Sequence, residues 1–418
     1  MNRKQRKILI VAPYGFNDRM ASFIEFTVGR ILARHEWSVV AIVKSDNNFS
    51  SIDSVCGVTV YRYTSLRQGL LMAVKIFLSF RPCIVHVHNL RNNRVGIVVS
   101  ILTKILRLPL LFTEYGLLHD HYLTDDRDNP LYQPIHSENV ITRLSQILER
   151  ILKGKKKWQY YFKSYLFHWP LTHADSIVFV SKHNIPIARQ IGLKNCNYLP
   201  QIMDDYRWFY KGVDLDNNLL HHHEEVLKRL DNIKGEVSAL FVGQLKLRKG
   251  WDILLRSIPF IPVSTVKNFI VVSATSDEEP REFRTLVEEL QIRDRIVFLG
   301  RVFNGDLMKK IYEASTVVVV PSRYEGFGLV PVEAFEMKKP VVASNVEALN
   351  EFLIDKYNAL LIPHEDHKSL ARAIVAVVDN MNIKDRLVLG GEKTLKKMKS
   401  SEEHEKWIHY YDNFLRKE

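Results

Sequence analysis

The residues best suited to chemistry lie in one run, 321–333, Pro-Ser-Arg-Tyr-Glu-Gly-Phe-Gly-Leu-Val-Pro-Val-Glu, directly after the valine-rich segment 316–320. Ionised carboxylates accept paired hydrogen bonds from vicinal hydroxyls, so Glu325 and Glu333 suit two sugar rings. Between them, Gly326 and Gly328 permit close backbone approach, and Pro331 fits the first turn of a following helix. Free amides at such a helix start favour phosphate. Two sugar rings with phosphate between them describe a sugar nucleotide. Taken without context, the same residues are a glycine-rich loop carrying two solvated glutamates.

A second constellation, 242–252, reads Val-Gly-Gln-Leu-Lys-Leu-Arg-Lys-Gly-Trp-Asp and follows another strand-like run. Together the two stretches resemble the family 4 (group 1) retaining glycosyltransferases of GT-B fold. The glutamate pair with seven residues between, the Pro-Ser before it and the Gly-Phe-Gly-Leu inside it match that family's donor-site signature. The run from Gly243 to Lys249-Gly250 resembles its glycine, arginine, then lysine-glycine loop, and the likeness extends through 174–181 and 298–302. The resemblance implies that Glu325 contacts donor-sugar hydroxyls near the reacting carbon and that Glu333 clamps the ribose. It implies that the amides of Phe327, Gly328 and Leu329 bind diphosphate, with Gly243, Gln244, Arg248, Ser322 and Gly326 completing the donor side. Lys249 then places a compact positive charge on the diphosphate and stabilises the leaving group. Gln244 stands where the family carries arginine and donates hydrogen bonds without charge, which leaves Arg248 as the compensating cation.

Other stretches depart from the family pattern. The glycine pair expected after the first strand is replaced by Tyr-Gly-Phe-Asn-Asp at 14–18, which makes Gly15 and Phe16 acceptor-side candidates. Pro200-Gln201-Ile202 replaces a Pro-Asn-Gly, and Glu-Ala-Leu-Asn-Glu at 347–351 replaces a second glycine pair and crowds the sugar pocket. Tyr115 occupies the position of a histidine that faces the reacting sugar; Glu114, His88 and His119 join it as acceptor-side candidates. A tyrosine is no base at neutral pH, so the resemblance implies that the departing phosphate takes the acceptor proton. His86 and His121, like His88 and His119, fit structural roles equally well. These departures keep open a weak or inactive sugar-nucleotide-binding partner subunit, or a GT-B epimerase or phosphorylase.

The adjacent His221, His222 and His223 lack the spaced ligands of a metal site, and Asp126-Arg127-Asp128 stands remote from any nucleotide signature. No metal or other cofactor is expected; the nucleoside-diphosphate sugar is a substrate, and a glycan or lipid-linked molecule the acceptor. Segment 148–169 interleaves lysines with Trp158, Tyr160, Tyr161 and Phe162. That composition suits an anionic membrane surface, and an aromatic core helix with a solvated basic face suits it as well. No nucleic-acid-binding fold is recognisable, so no nucleic-acid partner is expected.

Elements that could position such loops recur along the whole chain. Short apolar runs alternate with longer amphipathic stretches, the pattern of strand-helix units building parallel sheets. Strands are expected at 7–11, 38–43, 84–87, 110–113 and 176–180, then at 237–242, 269–273, 295–299, 316–320, 340–343 and 359–362, with a helix over 22–34. The resulting α/β reading is two doubly wound, Rossmann-like domains facing across a cleft. An acceptor domain spans 1–200, a connector with a local helix 201–236, and a donor domain 237–395. In the tail, 396–418, Trp407, Tyr410, Tyr411 and Phe414 recur at helical spacing, so that helix must bury a face, most simply against the N-terminal domain.

The 418 residues exceed one hydrophobic core, and 46% hydrophobic with 25% charged residues is globular composition. Cys56, Cys83 and Cys196 show no paired spacing. A net charge of +12 favours anionic partners. The basic N-terminus leads into a short strand with no signal-peptide region, and no apolar run reaches the roughly 20 residues of a membrane span. A cytoplasmic, at most peripheral, location is expected.

Overall fold

The computed structural model describes residues 6–13, 24–45, 51–89, 93–114, 169–190, 192–203, 217–273, 277–302 and 305–416. The chain divides into two compact units, Met1–Arg207 with Met398–Glu418, and Trp208–Lys397. Each is a parallel-sheet α/β domain, the two-Rossmann composition of the GT-B fold.

The first unit holds β1 (Lys7–Ala12), β2 (Ser38–Lys44), β3 (Ser51–Val55), β4 (Val58–Tyr63), β5 (Ile84–His88), β6 (Leu110–Glu114), β7 (Ser176–Phe179) and β8 (Cys196–Tyr198) in the order β3-β4-β2-β1-β5-β6-β7-β8. All neighbours are parallel except the β3–β4 hairpin. The central strands are continuous apolar runs because helices cover both faces of a parallel sheet; Ile8, Leu9, Ile10 and Val11 are fully buried. The hairpin and β8 lie beyond the strands expected from sequence. Ile52 is largely exposed, so β3 carries no apolar run to betray it.

The C-terminal helix Ser401–Arg416 belongs to this first unit. Its spaced aromatics bury one face as expected: Trp407 and Tyr411 are fully buried. The Trp407 indole donates to the Pro200 carbonyl at 2.9 Å, and the Tyr411 hydroxyl meets His86 Nδ1 at 2.6 Å.

The second unit holds β9 (Ser238–Gly243), β10 (Asn268–Ser273), β11 (Ile296–Gly300), β12 (Val317–Val320), β13 (Val341–Ser344) and β14 (Leu360–Ile362), all parallel, in the order β11-β10-β9-β12-β13-β14. The six expected strands are all present within a residue or two. The helix Asn217–Asp231, expected within a connector, is part of this unit. Its Arg229 guanidinium donates to the Phe298 carbonyl of β11, and His222 Nε2 lies 2.9 Å from the Arg301 carbonyl oxygen. No helix among the described residues is long and apolar enough to cross a membrane.

Truncating the indole that seats the tail helix removes a large buried ring and a hydrogen bond. Trp407→Ala should cost about 3–5 kcal/mol, read as a lower denaturant midpoint for the first unit; an unchanged midpoint would show the helix docks without it.

Candidate functional site

In the second sheet the chain starts at β9, builds outward through β10 and β11, then returns to β9's other side for β12. Loops leaving the carboxyl ends of β9 and β12 therefore run in opposite directions and open a crevice at this switch point. Every expected donor-side residue leaves one of these two strands: Gly243, Gln244, Arg248 and Lys249 follow β9, and Ser322 through Glu333 follow β12.

Two devices lock the loops together. At Gly250, with φ of 69°, an added Cβ would fall 1.9 Å from the Pro321 carbonyl oxygen, so only glycine lets the β9 loop touch the end of β12. Arg323 supplies the second. Its amide donates to the Arg248 carbonyl at 2.8 Å. Its guanidinium forms a fork with Asp252 at 2.7 and 2.8 Å, donates to Glu365 at 2.5 Å, and reaches the Leu247 carbonyl. Paired hydrogen bonds to Asp252 raise the Arg323 pKa still further above its ordinary value. No spacing in the sequence pointed to Arg323, although it lies inside the conspicuous 321–333 run.

The locked loops bring Lys249 and Glu325 into one buried cluster. Lys249 Nζ donates to Glu325 Oε1 at 2.6 Å, Ser322 Oγ donates to the same oxygen at 2.8 Å, and Arg248 reaches Oε2 at 3.4 Å. The Glu325 side chain is 6% exposed and that of Lys249 17%. Burial alone would push the Glu325 carboxyl up, yet Lys249 and Arg248 hold it below its ordinary value. Burial pulls the Lys249 ammonium down, aided by Arg248 and only partly offset by Glu325. Two cations thus lie against the Glu325 carboxylate in a part-desolvated crevice, and Glu333 adds a second negative charge near Lys249. An ammonium carries three donors and a carboxylate about four acceptor sites, so Lys249 and Glu325 Oε2 both retain capacity for a ligand.

Beyond Glu325 the chain turns into the helix Leu329–Glu336, whose N-cap Gly328 adopts φ of 95° and offers no capping side chain. No side chain therefore caps the first-turn amides, and amides in such a position suit an anion. A Cβ at Gly328 would stand 2.4 Å from Leu349 Cδ2, so Leu349 of the 347–351 segment packs directly against this turn. Phe327 stacks on Phe352 with centroids 4.7 Å apart. Gly326 lies in the turn, and Glu333, one helical turn further on, accepts from the Tyr312 hydroxyl. Gln244 is half-buried just past β9.

Of the acceptor-side candidates, His88 and Glu114 end β5 and β6 of the first unit and are fully buried. His88 Nε2 lies 3.2 Å from His86 Nδ1, and His86 Nε2 lies 2.8 Å from Thr113 Oγ1. Burial pushes the His86 imidazole down to about 3 and His88 well below its ordinary value, so both are neutral. Gly15, Phe16, Tyr115, His119 and the segments 126–128 and 148–168 lie outside the described residues. Among the described residues no group of three or more His, Cys, Asp or Glu is placed to hold a metal.

Comparison with known proteins agrees with this geometry. Residues 236–380 match the family described as Glycosyl transferases group 1. Over 213 residues the chain is 30% identical to an uncharacterized glycosyltransferase of Methanocaldococcus jannaschii, which covers 50% of this chain and 54% of that protein. The chain thus matches about half the length of that relative. Sucrose-phosphate synthase from Thermosynechococcus elongatus shares the fold with a TM-score of 0.71 at 18% identity, covering 99% of this chain and 100% of that one. The Anabaena protein HepE, solved with UDP and glucose, does so with a TM-score of 0.64 at 16% identity, covering 99% and 100%.

Replacing Glu325 by glutamine removes the carboxylate that Lys249 and Arg248 share. Glu325→Gln should lower stability by about 3 kcal/mol in denaturant unfolding. Because the folded state depresses the Glu325 pKa, the pair's contribution is complete above the ordinary carboxylate value and is lost as pH falls through the lower, folded value. Stability that declines with acid equally in wild type and Glu325→Gln contradicts this.

Arg323→Ala should cost about 2 kcal/mol, the scale of lost charged hydrogen bonds. It should also speed hydrogen exchange at the Lys249 and Gly250 amides, which close the loop onto Lys246 and Leu247. Unchanged exchange there would remove Arg323 as the buckle.

Proposed function

We propose that the chain, whose residues 236–380 match the group 1 glycosyltransferases, transfers a glycosyl group from a nucleoside-diphosphate sugar to an acceptor hydroxyl, with retention of anomeric configuration. The observation that carries this reading is the Lys249–Glu325 contact of 2.6 Å beside a glycine-capped helix start, at the switch point of the second sheet. One ammonium, one guanidinium and a set of free amides suit a diphosphate; one carboxylate with spare acceptor capacity suits sugar hydroxyls. The UDP and glucose bound to HepE support the same ligand class.

In this mechanism the bond from the anomeric carbon to the diphosphate oxygen breaks and its electron pair stays on the oxygen. Lys249, Arg248 and the amides of Phe327, Gly328 and Leu329 stabilise that charge as it grows. Glu325 Oε2 orients the sugar while its oxocarbenium character develops, and Glu333 receives the ribose hydroxyls. The acceptor oxygen then bonds to the anomeric carbon on the departing face, and its proton passes to the leaving phosphate. Positive side chains and backbone amides fill the place a metal ion takes elsewhere. The acceptor class is a glycan precursor, free or lipid-linked.

Lys249→Ala should lower kcat/KM by about a hundred- to a thousandfold, the usual loss for one transition-state donor, in transfer to a panel of glycan acceptors. Near-wild-type turnover contradicts the assignment, whereas nucleotide binding without any turnover in the unaltered protein would instead identify a partner subunit.

Alkaline titration gives a second test. Burial lowers the Lys249 pKa, so its charge disappears as pH rises through that lowered value, and affinity for a nucleoside diphosphate falls with it. In Lys249→Arg the decline should move to higher pH, as measured by calorimetric titration; an identical alkaline limb in both proteins excludes Lys249 as the diphosphate's cation.

A further inference from the structure

The outer face of the helix Leu66–Ser79 is apolar, the reverse of what an exposed helix normally shows. Gly69, Ala73 and Ile76 face the core of the first unit, while Leu66, Leu71, Val74 and Leu78 are 41%, 63%, 45% and 72% exposed. The helix Arg94–Ile105 packs beside it, with Val95 so near Gly69 that an added Cβ would approach it to 2.7 Å. This neighbour exposes Ile101 and Ile105, with Leu106 following. Seven of the sixteen large apolar side chains exposed among the described residues therefore fall within 66–106. Single exposed leucines need no explanation, but a concentration of them marks a contact surface.

Charge identifies what it contacts. No aspartate or glutamate occurs between Asp53 and Glu114. Arg67, Lys75, Arg81, Arg94 and Arg107 are all exposed, and Arg67 lines one shallow depression with Leu66, Leu70, Leu71 and Val74. We propose that this face docks the protein on a bilayer rich in anionic lipid, the leucines entering the interface and the basic side chains meeting headgroups. A second copy of the chain fits less well, because pairing two such faces brings like charges together. The surface is independent of the nucleotide chemistry, so membrane docking and sugar transfer stand or fall separately.

The test is co-sedimentation of the full chain with vesicles of phosphatidylcholine alone or of equal parts phosphatidylcholine and phosphatidylglycerol. Binding should require the anionic lipid and weaken with salt. Two double variants on exposed positions, Leu71→Ser with Leu78→Ser and Arg67→Glu with Lys75→Glu, should each lower the partition coefficient about tenfold or more, with thermal unfolding unchanged. The proposal is overturned if the wild type ignores anionic vesicles or if both variants bind as it does. It is equally overturned if light scattering shows the leucines holding a dimer that leaves vesicles untouched.

Discussion

A part-buried ammonium held against a buried carboxylate is the constraint around which the second unit is organised. Removing Lys249 and Glu325 from water is costly, and the 2.6 Å contact repays that cost only because Ser322 and Arg248 occupy further positions on the same carboxylate. The arrangement gathers Lys249, Arg248 and the Glu325 carboxylate at the carboxyl end of a parallel sheet. The proposed function assigns the cations of this crevice to an anion, and the remaining acceptor oxygen to a hydroxyl-bearing neighbour of that anion.

Holding the pair in place is the task of backbone geometry. The two loops leave adjacent strands in opposite directions, and nothing in a parallel sheet by itself keeps such loops in contact. Gly250 allows the closest approach, against Pro321, and Arg323 fastens the loops through Asp252 and the Leu247 carbonyl. Gly328 then turns the chain into a helix that starts four residues after Glu325 and has no side-chain cap. In the first unit the equivalent end of the sheet is built differently: His86 and His88 are neutral and enclosed, and the tail helix anchors them through Tyr411.

Much of this was legible in the chain because the physical signals are local. Strands covered on both faces read as unbroken valine and isoleucine runs, and the glutamate, glycine and lysine spacings mark the loops after β9 and β12 without coordinates. Signals that depend on distant partners were not legible. The β3–β4 hairpin is a half-exposed edge whose polar residues mask its strand character, and β8 has three residues, two of them exposed. Glu325 finds Lys249 across 76 positions and Arg323 finds Asp252 across 71; only the fold shows that these charges meet. The sequence reading gave Glu325 as a contact to donor-sugar hydroxyls; the folded chain adds that its carboxylate accepts from Lys249, Arg248 and Ser322.

The central claim is that the Lys249–Glu325 crevice receives a nucleoside diphosphate. A crystal structure of the full chain grown with a nucleoside diphosphate from a set covering uridine, guanosine, adenosine and thymidine tests it directly. The account predicts the terminal phosphate within hydrogen-bond reach of Lys249 Nζ and of the amides at Phe327 to Leu329, with the ribose beside Glu333. A nucleotide bound elsewhere, with Lys249 and Glu325 still closed on each other, would contradict it.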